Sequence, residues 1–301
     1  MNKFVVNILL LITSGMSFLS CEKVITITPP PYAGKVSIQS MLEPGSLPIV
    51  YFNKTVPYFD SKINFADLVI RNANINITTG SATDILKLDS VYDKVYCEYN
   101  YYYKGSKPVQ LNKAYTLTIT NNNDTYTASC STGSISGSAI DSTSYTANYK
   151  DLYGEHEGVI IYFKDVPAQV NYYRYEMDRF IDTATKKAEV KIVSPCLGRD
   201  SVQVQELGRS VFSDVGQDGQ QLKIVIEPAY SHNPGTKGYI RIQSIDKNAF
   251  NFFDQLDKQK LSQFNPFIEP VFLRDGQFGS RAIGYFSAMI KSNPVLFVYP
   301  E

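Results

Sequence analysis

The sequence predicts an all-β protein of two β-rich domains, an N-terminal sandwich and a C-terminal sandwich or barrel carrying one short helix. Three observations carry this reading. Short β-branched and aromatic runs recur between turn residues, one segment alone recurs at helical spacing, and a small polar stretch divides the strands into two groups. The chain has 301 residues, 44% of them hydrophobic and 19% charged, a composition that fills sizeable cores and excludes disorder.

Residues 1–20 read as a lipoprotein signal peptide. Met1-Asn2-Lys3 is a short basic start, Phe4 to Ile12 is apolar apart from Asn7, and small residues lead to Phe18-Leu19-Ser20-Cys21. This is the pattern of a secretory signal, and its apolar run is shorter than the ~20 residues of a membrane-spanning helix. A cysteine directly after a small residue resembles a bacterial lipobox, although Phe18 stands where leucine is usual. Cleavage in that pattern leaves Cys21 first, with diacylglycerol on its sulfur and an acylated amino group. Each buried methylene then adds ~0.8 kcal/mol to membrane anchoring. The alternative is an ordinary secreted chain in which Cys21 is a thiol or disulfide partner. Residues 21–34 follow as a stalk, stiffened by Pro29-Pro30-Pro31.

Residues 35–133 read as the first sandwich. Val36 to Met41 ends at Glu43-Pro44-Gly45, Pro48 to Phe52 follows, and Ala66 to Thr78 carries Leu68, Ile70, Ile75 and Ile77. Val91 and Val95 lead into a tyrosine-rich run. Tyr115, Leu117 and Ile119 alternate with threonines, a half-buried strand. Asn121 to Asp124 supplies a turn, and Tyr126 and Ala128 return as the second arm of a hairpin. About seven such strands in about 100 residues is a sandwich signature.

Gly133 to Ser138 suits a flexible linker into the second domain, residues 134–301. Strands are expected at Gly158 to Lys164, Tyr172 to Phe180, Ala188 to Val193, Gln221 to Ile226 and Tyr239 to Gln243. Ala249, Phe250, Phe253, Leu256, Leu261 and Phe264 then recur at helical spacing, which places a helix near 247–264 with Asp246 as its N-cap and Asn265-Pro266 as its stop. Phe267 to Leu273, Ile283 to Met289 and Val295 to Tyr299 close the chain as strands.

Charge and composition narrow the function. Lys+Arg and Asp+Glu are 29 each, and a chain without basic excess is not expected to hold nucleic acid. With two histidines, imidazole catalysis and multi-histidine metal sites are disfavoured. No phosphate-loop, zinc-protease, calcium-loop or dinucleotide pattern is present, so no cofactor, no metal and no catalytic residue is assigned. His156, between Glu155 and Glu157, and His232 read as turn residues, since neighbours on a strand alternate faces and would not converge on one ion. Cys97 and Cys130 lie in strand-like segments and are a candidate disulfide, with two buried free thiols equally compatible. Tyr99, Tyr101 and Tyr103, in a run that includes Tyr96 and Tyr102, are candidate ligand or partner contacts. Tyrosine joins an apolar ring to a polar tip, and the competing reading packs alternate tyrosines into the sandwich.

Several segments together resemble the Bacteroidetes lipoprotein family known as domain-of-unknown-function 4249. These are Cys21-Glu22-Lys23, Lys35-Val36 with Glu43-Pro44-Gly45, Asn72-Ala73 and Tyr126-Thr127-Ala128 in the first half. In the second half they are Asp165 with Asn171 to Tyr175, Phe212-Ser213-Asp214 with Gly219, Asn265 to Pro270, and Ile283 to Ala288. Arg274-Asp275-Gly276 departs from the family's usual Ser-Asn pair. Asp89-Ser90-Val91, Asp141-Ser142-Thr143, Asp182-Thr183-Ala184 and Asp200-Ser201-Val202 also resemble O-glycosylation sites of exported proteins of that phylum.

The resemblance implies an immunoglobulin-like or transthyretin-like first domain and an outer-membrane lipoprotein encoded beside TonB-dependent transporters. It brings no activity and no catalytic residues. The function expected is therefore non-enzymatic. The chain would be held in the outer membrane through acyl chains on Cys21, facing the cell surface, and would serve a TonB-dependent transporter by capturing ligand or covering it. The alternative is an adhesive or structural surface module with no transporter partner.

Overall fold

The computed structural model describes residues 34–56, 65–93, 97–151, 154–182, 201–207, 211–227, 234–264 and 271–300. The signal peptide, most of the stalk, Cys21, Tyr96, Cys196 and His232 lie outside them, as do the strand expected at Ala188 to Val193 and the stop at Asn265-Pro266.

The first seven strands are β1 (Val36–Leu42), β2 (Ile49–Lys54), β3 (Asn74–Thr79), β4 (Ala82–Asp93), β5 (Glu98–Lys104), β6 (Ala114–Asn121) and β7 (Asp124–Ser131). Alternation decides which side chains go in. On β6, Tyr115, Leu117 and Ile119 are buried, and on β7 Tyr126, Ala128 and Cys130 meet them across the ladder. Asn122 sits at φ 52 in the two-residue turn between those strands, a conformation asparagine tolerates.

Two strands change partners along their length. β4 pairs through Ala82–Leu86 with β3 and through Lys87–Asp93 with β5, and β2 pairs with β5 at Ile49–Val50 and with β1 beyond. The ladder therefore folds over on itself. Its inner faces close on a core that includes Ile38, Phe52, Ile75, Leu117, Ile119 and Phe286. Burying each such side chain contributes ~1.5–3 kcal/mol.

The second group comprises β8 (Ile140–Asp151), β9 (Gly154–Lys164), β10 (Tyr172–Asp182), β11 (Ser201–Leu207), β12 (Phe212–Ser213), β13 (Gln221–Ile226), β14 (Lys237–Ile245), β15 (Ala282–Lys291) and β16 (Val295–Val298). A three-stranded sheet, β13-β9-β8, packs on β10, β14 and β16 through Val159, Ile161, Phe163, Tyr173, Ile224, Ile240 and Phe297. The all-β class and the short helix are as the sequence predicts.

β15 belongs to both halves. Ala282–Ala288 run parallel to β1, and Met289–Lys291 run antiparallel to the end of β14. The parallel pairing needs Gly284. Its φ is 126, and a Cβ there would overlap the backbone of Ile38, its register partner.

Among the described residues two helices interrupt the strands. The four-residue α1 (Phe65–Leu68) and the loop to Ala73 stand where one long strand was expected, and β3 begins only at Asn74. The longer α2 (Lys247–Phe264) matches its predicted span. Asp246 caps it, accepting from the Asn248 and Ala249 amides at 3.0 and 3.1 Å through Oδ1 and from the Ala288 amide at 3.0 Å through Oδ2. Ala249 and Phe253 pack on Ile245 and Met289, and the Arg174 guanidinium lies 4.0 Å over the Phe253 ring. No helix among the described residues is long and apolar enough to cross a membrane.

The segment read as a flexible linker is instead packed. Ile135 rests on the first core, a Cβ on Gly137 would come within 2.8 Å of Ile290, and buried Ser138 donates to the Tyr173 hydroxyl at 3.2 Å. Its serines and glycines permit close approach as well as flexibility, and close approach is what the fold uses. Residues 271–275 form an irregular segment in place of the end of the strand expected at Phe267 to Leu273.

Candidate functional site

The tyrosine-rich run forms β5, which pairs with the distal half of β4 as a two-stranded arm. Leu88 faces Tyr103, Ser90 faces Tyr101, and Tyr92 faces Tyr99, so these six side chains share one face. Burial changes steadily along it. Tyr103 is only 2% exposed; its hydroxyl donates to the Ile70 carbonyl at 2.8 Å and accepts from the Ala73 amide at 3.1 Å. Desolvation in the core pushes its phenol above the ordinary tyrosine value. Tyr103, expected as a contact residue, is therefore a core residue instead.

The other two candidates stay on the surface. Tyr101 is half-buried, and the Arg71 guanidinium lies 4.3 Å above its ring. Tyr99 is 54% exposed and meets Tyr92, 46% exposed, edge-to-face at 5.1 Å. The result is an aromatic stripe, Tyr92, Tyr99 and Tyr101, backed by one cation. On the opposite face Tyr102 packs edge-on against Tyr51 at 6.0 Å. Tyr92 and Arg71 were not among the sequence candidates. Tyr92 could have been found by folding the run back on itself, whereas Arg71 reaches the stripe only through the loop before β3.

At the arm's tip Cys97 has φ 57 and is disulfide-bonded. Cys130 is a free thiol, buried on the inner face of β7, where desolvation first and the Asp246 charge second raise its pKa well above the usual thiol range. The Cys97–Cys130 pair considered from the sequence is therefore not formed. One cysteine lies at an exposed turn, and the pleat directs the other into the sandwich.

A second cluster joins two of the segments that carry the family resemblance. Asp165, Asp214 and Asp218 bring carboxylate oxygens within 4.8 Å of one another. Chain donors surround them. Asp165 accepts from Tyr173 Oη, from Asn171 Nδ2 at 3.0 Å and from the Gly219 amide at 2.8 Å. Asp214 accepts from the Asn171 amide at 3.0 Å, and Asp218 accepts from the Ala168 amide at 2.9 Å. N–H and O–H groups already point at oxygens a cation would need, so the cluster works as a latch between the β9–β10 connection and the loop at 214–219.

His156 lies in strand β9, where a turn was expected. Its Nε2 is 3.3 Å from Glu227 Oε1 and its ring packs 5.4 Å from Tyr149. Glu157 turns to the other side and accepts from the Tyr145 hydroxyl at 2.6 Å, so the three consecutive polar residues do not converge.

The profile of a family described as a domain of unknown function, DUF4249, matches residues 22–291. No curated protein matches the chain.

Proposed function

The chain belongs to the DUF4249 family, and on that premise we propose that it is a non-catalytic outer-membrane lipoprotein, anchored through acyl chains on Cys21, that serves a TonB-dependent transporter. The β4–β5 arm is its contact surface. The observation that carries this reading is the stripe of Tyr92, Tyr99 and Tyr101 with Arg71, left on the surface of a hydrogen-bonded ribbon. Tyrosine and arginine dominate the energetics of protein interfaces, and a strand scaffold holds them at little entropic cost. A ribbon face suits a broad protein surface, whereas small molecules are held in concave sites. Covering a transporter therefore fits the arm better than capturing its cargo there.

Uptake by the neighbouring transporter tests the reading. A strain lacking the chain is complemented with the wild type or with Tyr92→Ala/Tyr99→Ala. Both rings are about half exposed and pack mainly on each other, so removing them costs about 1 kcal/mol, which leaves the chain folded. Uptake should fall on deletion, return with the wild type and return only in part with the double variant. Unchanged uptake on deletion would remove the transporter role and favour the adhesive module.

A further inference from the structure

The inner face of the first sandwich runs on past its core at one end. On that face Ile77 pairs with Asp84 and Thr79 with Ala82, and exposure climbs from Ile77, 3% exposed, to half-buried Thr79 and exposed Ala82. The loop between β5 and β6 stands over this mouth and leaves a groove of about 340 Å³, whose wall includes Ala82, Pro108, Ala114 and Tyr115 and whose charges include Lys107 and Lys113. A cavity of ~150 Å³ admits benzene, so this groove admits a substituted ring.

The loop is pinned, so the groove is preformed. Asp84 accepts from the Ser106 and Lys107 amides at 2.9 and 3.0 Å through Oδ2 and from the Ser106 hydroxyl at 2.9 Å through Oδ1. Farther along, the Val109 amide donates to the Ser46 carbonyl at 2.9 Å, and the Thr132 hydroxyl donates to the Gln110 carbonyl at 2.9 Å. A loop already ordered adds little entropic cost to binding.

Charge selects the occupant. Lys107 donates to the Thr83 carbonyl of β4 at 2.7 Å, which leaves two of its protons, and Lys113 immediately precedes β6. With β3 between those strands, the two lysines flank the groove. Both are exposed, and neither is in an ion pair among the described residues. Asp84, the one carboxylate in the wall, has both oxygens occupied by chain donors and offers no place to a cation. Two ammonium groups against one carboxylate leave the groove positive. Inorganic anions forgo its apolar wall, and neutral molecules forgo its lysines.

We infer that this groove binds a small carboxylate with an apolar body, of the size of an aromatic acid, its ring against Ala82, Pro108 and Ala114 and its charge between Lys107 and Lys113. The inference goes beyond the transporter role and does not depend on it, since Tyr92, Tyr99, Tyr101 and Arg71 take no part in the groove.

Calorimetric titration of the full chain with phenylacetate, acetate, inorganic phosphate, benzyl alcohol and benzylamine tests it. Phenylacetate should bind with Kd of about 1 mM or tighter, and the other four at least about tenfold more weakly. Lys113→Gln, on an exposed side chain, should weaken phenylacetate binding about fivefold at unchanged Tm, and salt at about 1 M should also weaken it, since exposed charges are screened. Ala82→Trp, at the exposed mouth, should fill the groove and abolish binding. No heat from phenylacetate, binding unaltered in both variants, or equal binding of benzyl alcohol or phosphate would overturn the assignment. The Tyr92→Ala/Tyr99→Ala protein should bind phenylacetate normally, which separates this outcome from the fate of the arm.

Discussion

The Tyr173 hydroxyl donates to Asp165 Oδ1 in a site sealed from solvent, with Asp165 only 2% exposed. Ser138 donates to the same tyrosine at 3.2 Å, and Asn171 holds Asp165 together with the Val166 carbonyl. One carboxylate thus gathers the end of β9, the start of β10, the 214–219 loop and the segment between the two groups of strands. Its role is architectural.

Tyr173→Phe keeps the ring but removes the donor. The loss of a hydrogen bond to a buried charge should cost about 1.5–3 kcal/mol, read as a lower denaturation midpoint at unchanged m-value. A change within experimental error would show the latch to be dispensable.

The same pair sets an alkaline limit. Burial first, and the Asp165 bond second, raise the Tyr173 phenol above its ordinary value. The folded state therefore keeps a proton that the unfolded chain releases near pH ~10. The stabilisation is complete below that pH and is lost as pH climbs towards the folded pKa. Cys130 contributes with the same sign from about pH 8.5. In a Cys130→Ala background, stability should fall above about pH 10, and adding Tyr173→Phe should make the fall shallower, the remainder belonging to other tyrosines with raised phenols such as Tyr103 and Tyr285. An equal slope in both proteins would assign the loss to other groups.

Cys130 should be inert to thiol reagents in the native protein and react once on unfolding, since it is buried with a raised pKa. Peptide mapping without reduction should recover it alkylated and should recover Cys97 cross-linked. Cys130 found in a disulfide would contradict the arrangement of β7.

Gly284→Ala places a methyl group against the Ile38 carbonyl at a backbone conformation that L-residues avoid. The parallel β1–β15 ladder must then part, at a cost above ~3 kcal/mol. A thermal shift should show it, and a near-neutral Tm would mean that β15 does not pair with β1.

Much of this fold was legible in residue order. Alternation gave β6 and β7 with their turn, and helical spacing with Asp246 gave α2. What escaped has physical causes. β8 is a sheet-edge strand of mostly polar residues, so it carries little hydrophobic period. β4 passes between two partners, and only its first half buries alternate residues, Asp84 and Leu86. For the stripe, composition announced many tyrosines but not their order of burial. Tyr103 and Tyr99 stand on one face of one strand, and only the reach of the sandwich beneath them decides that the first is core and the second surface.

The central claim is tested most directly by purifying the tagged native protein from its own outer membrane in mild detergent and analysing it by mass spectrometry. The account predicts a chain beginning at acylated Cys21, recovered in stoichiometric amount with a TonB-dependent transporter, and loss of that partner in Tyr92→Ala/Tyr99→Ala. An unacylated chain, or one recovered alone under conditions that preserve other transporter complexes, would contradict it.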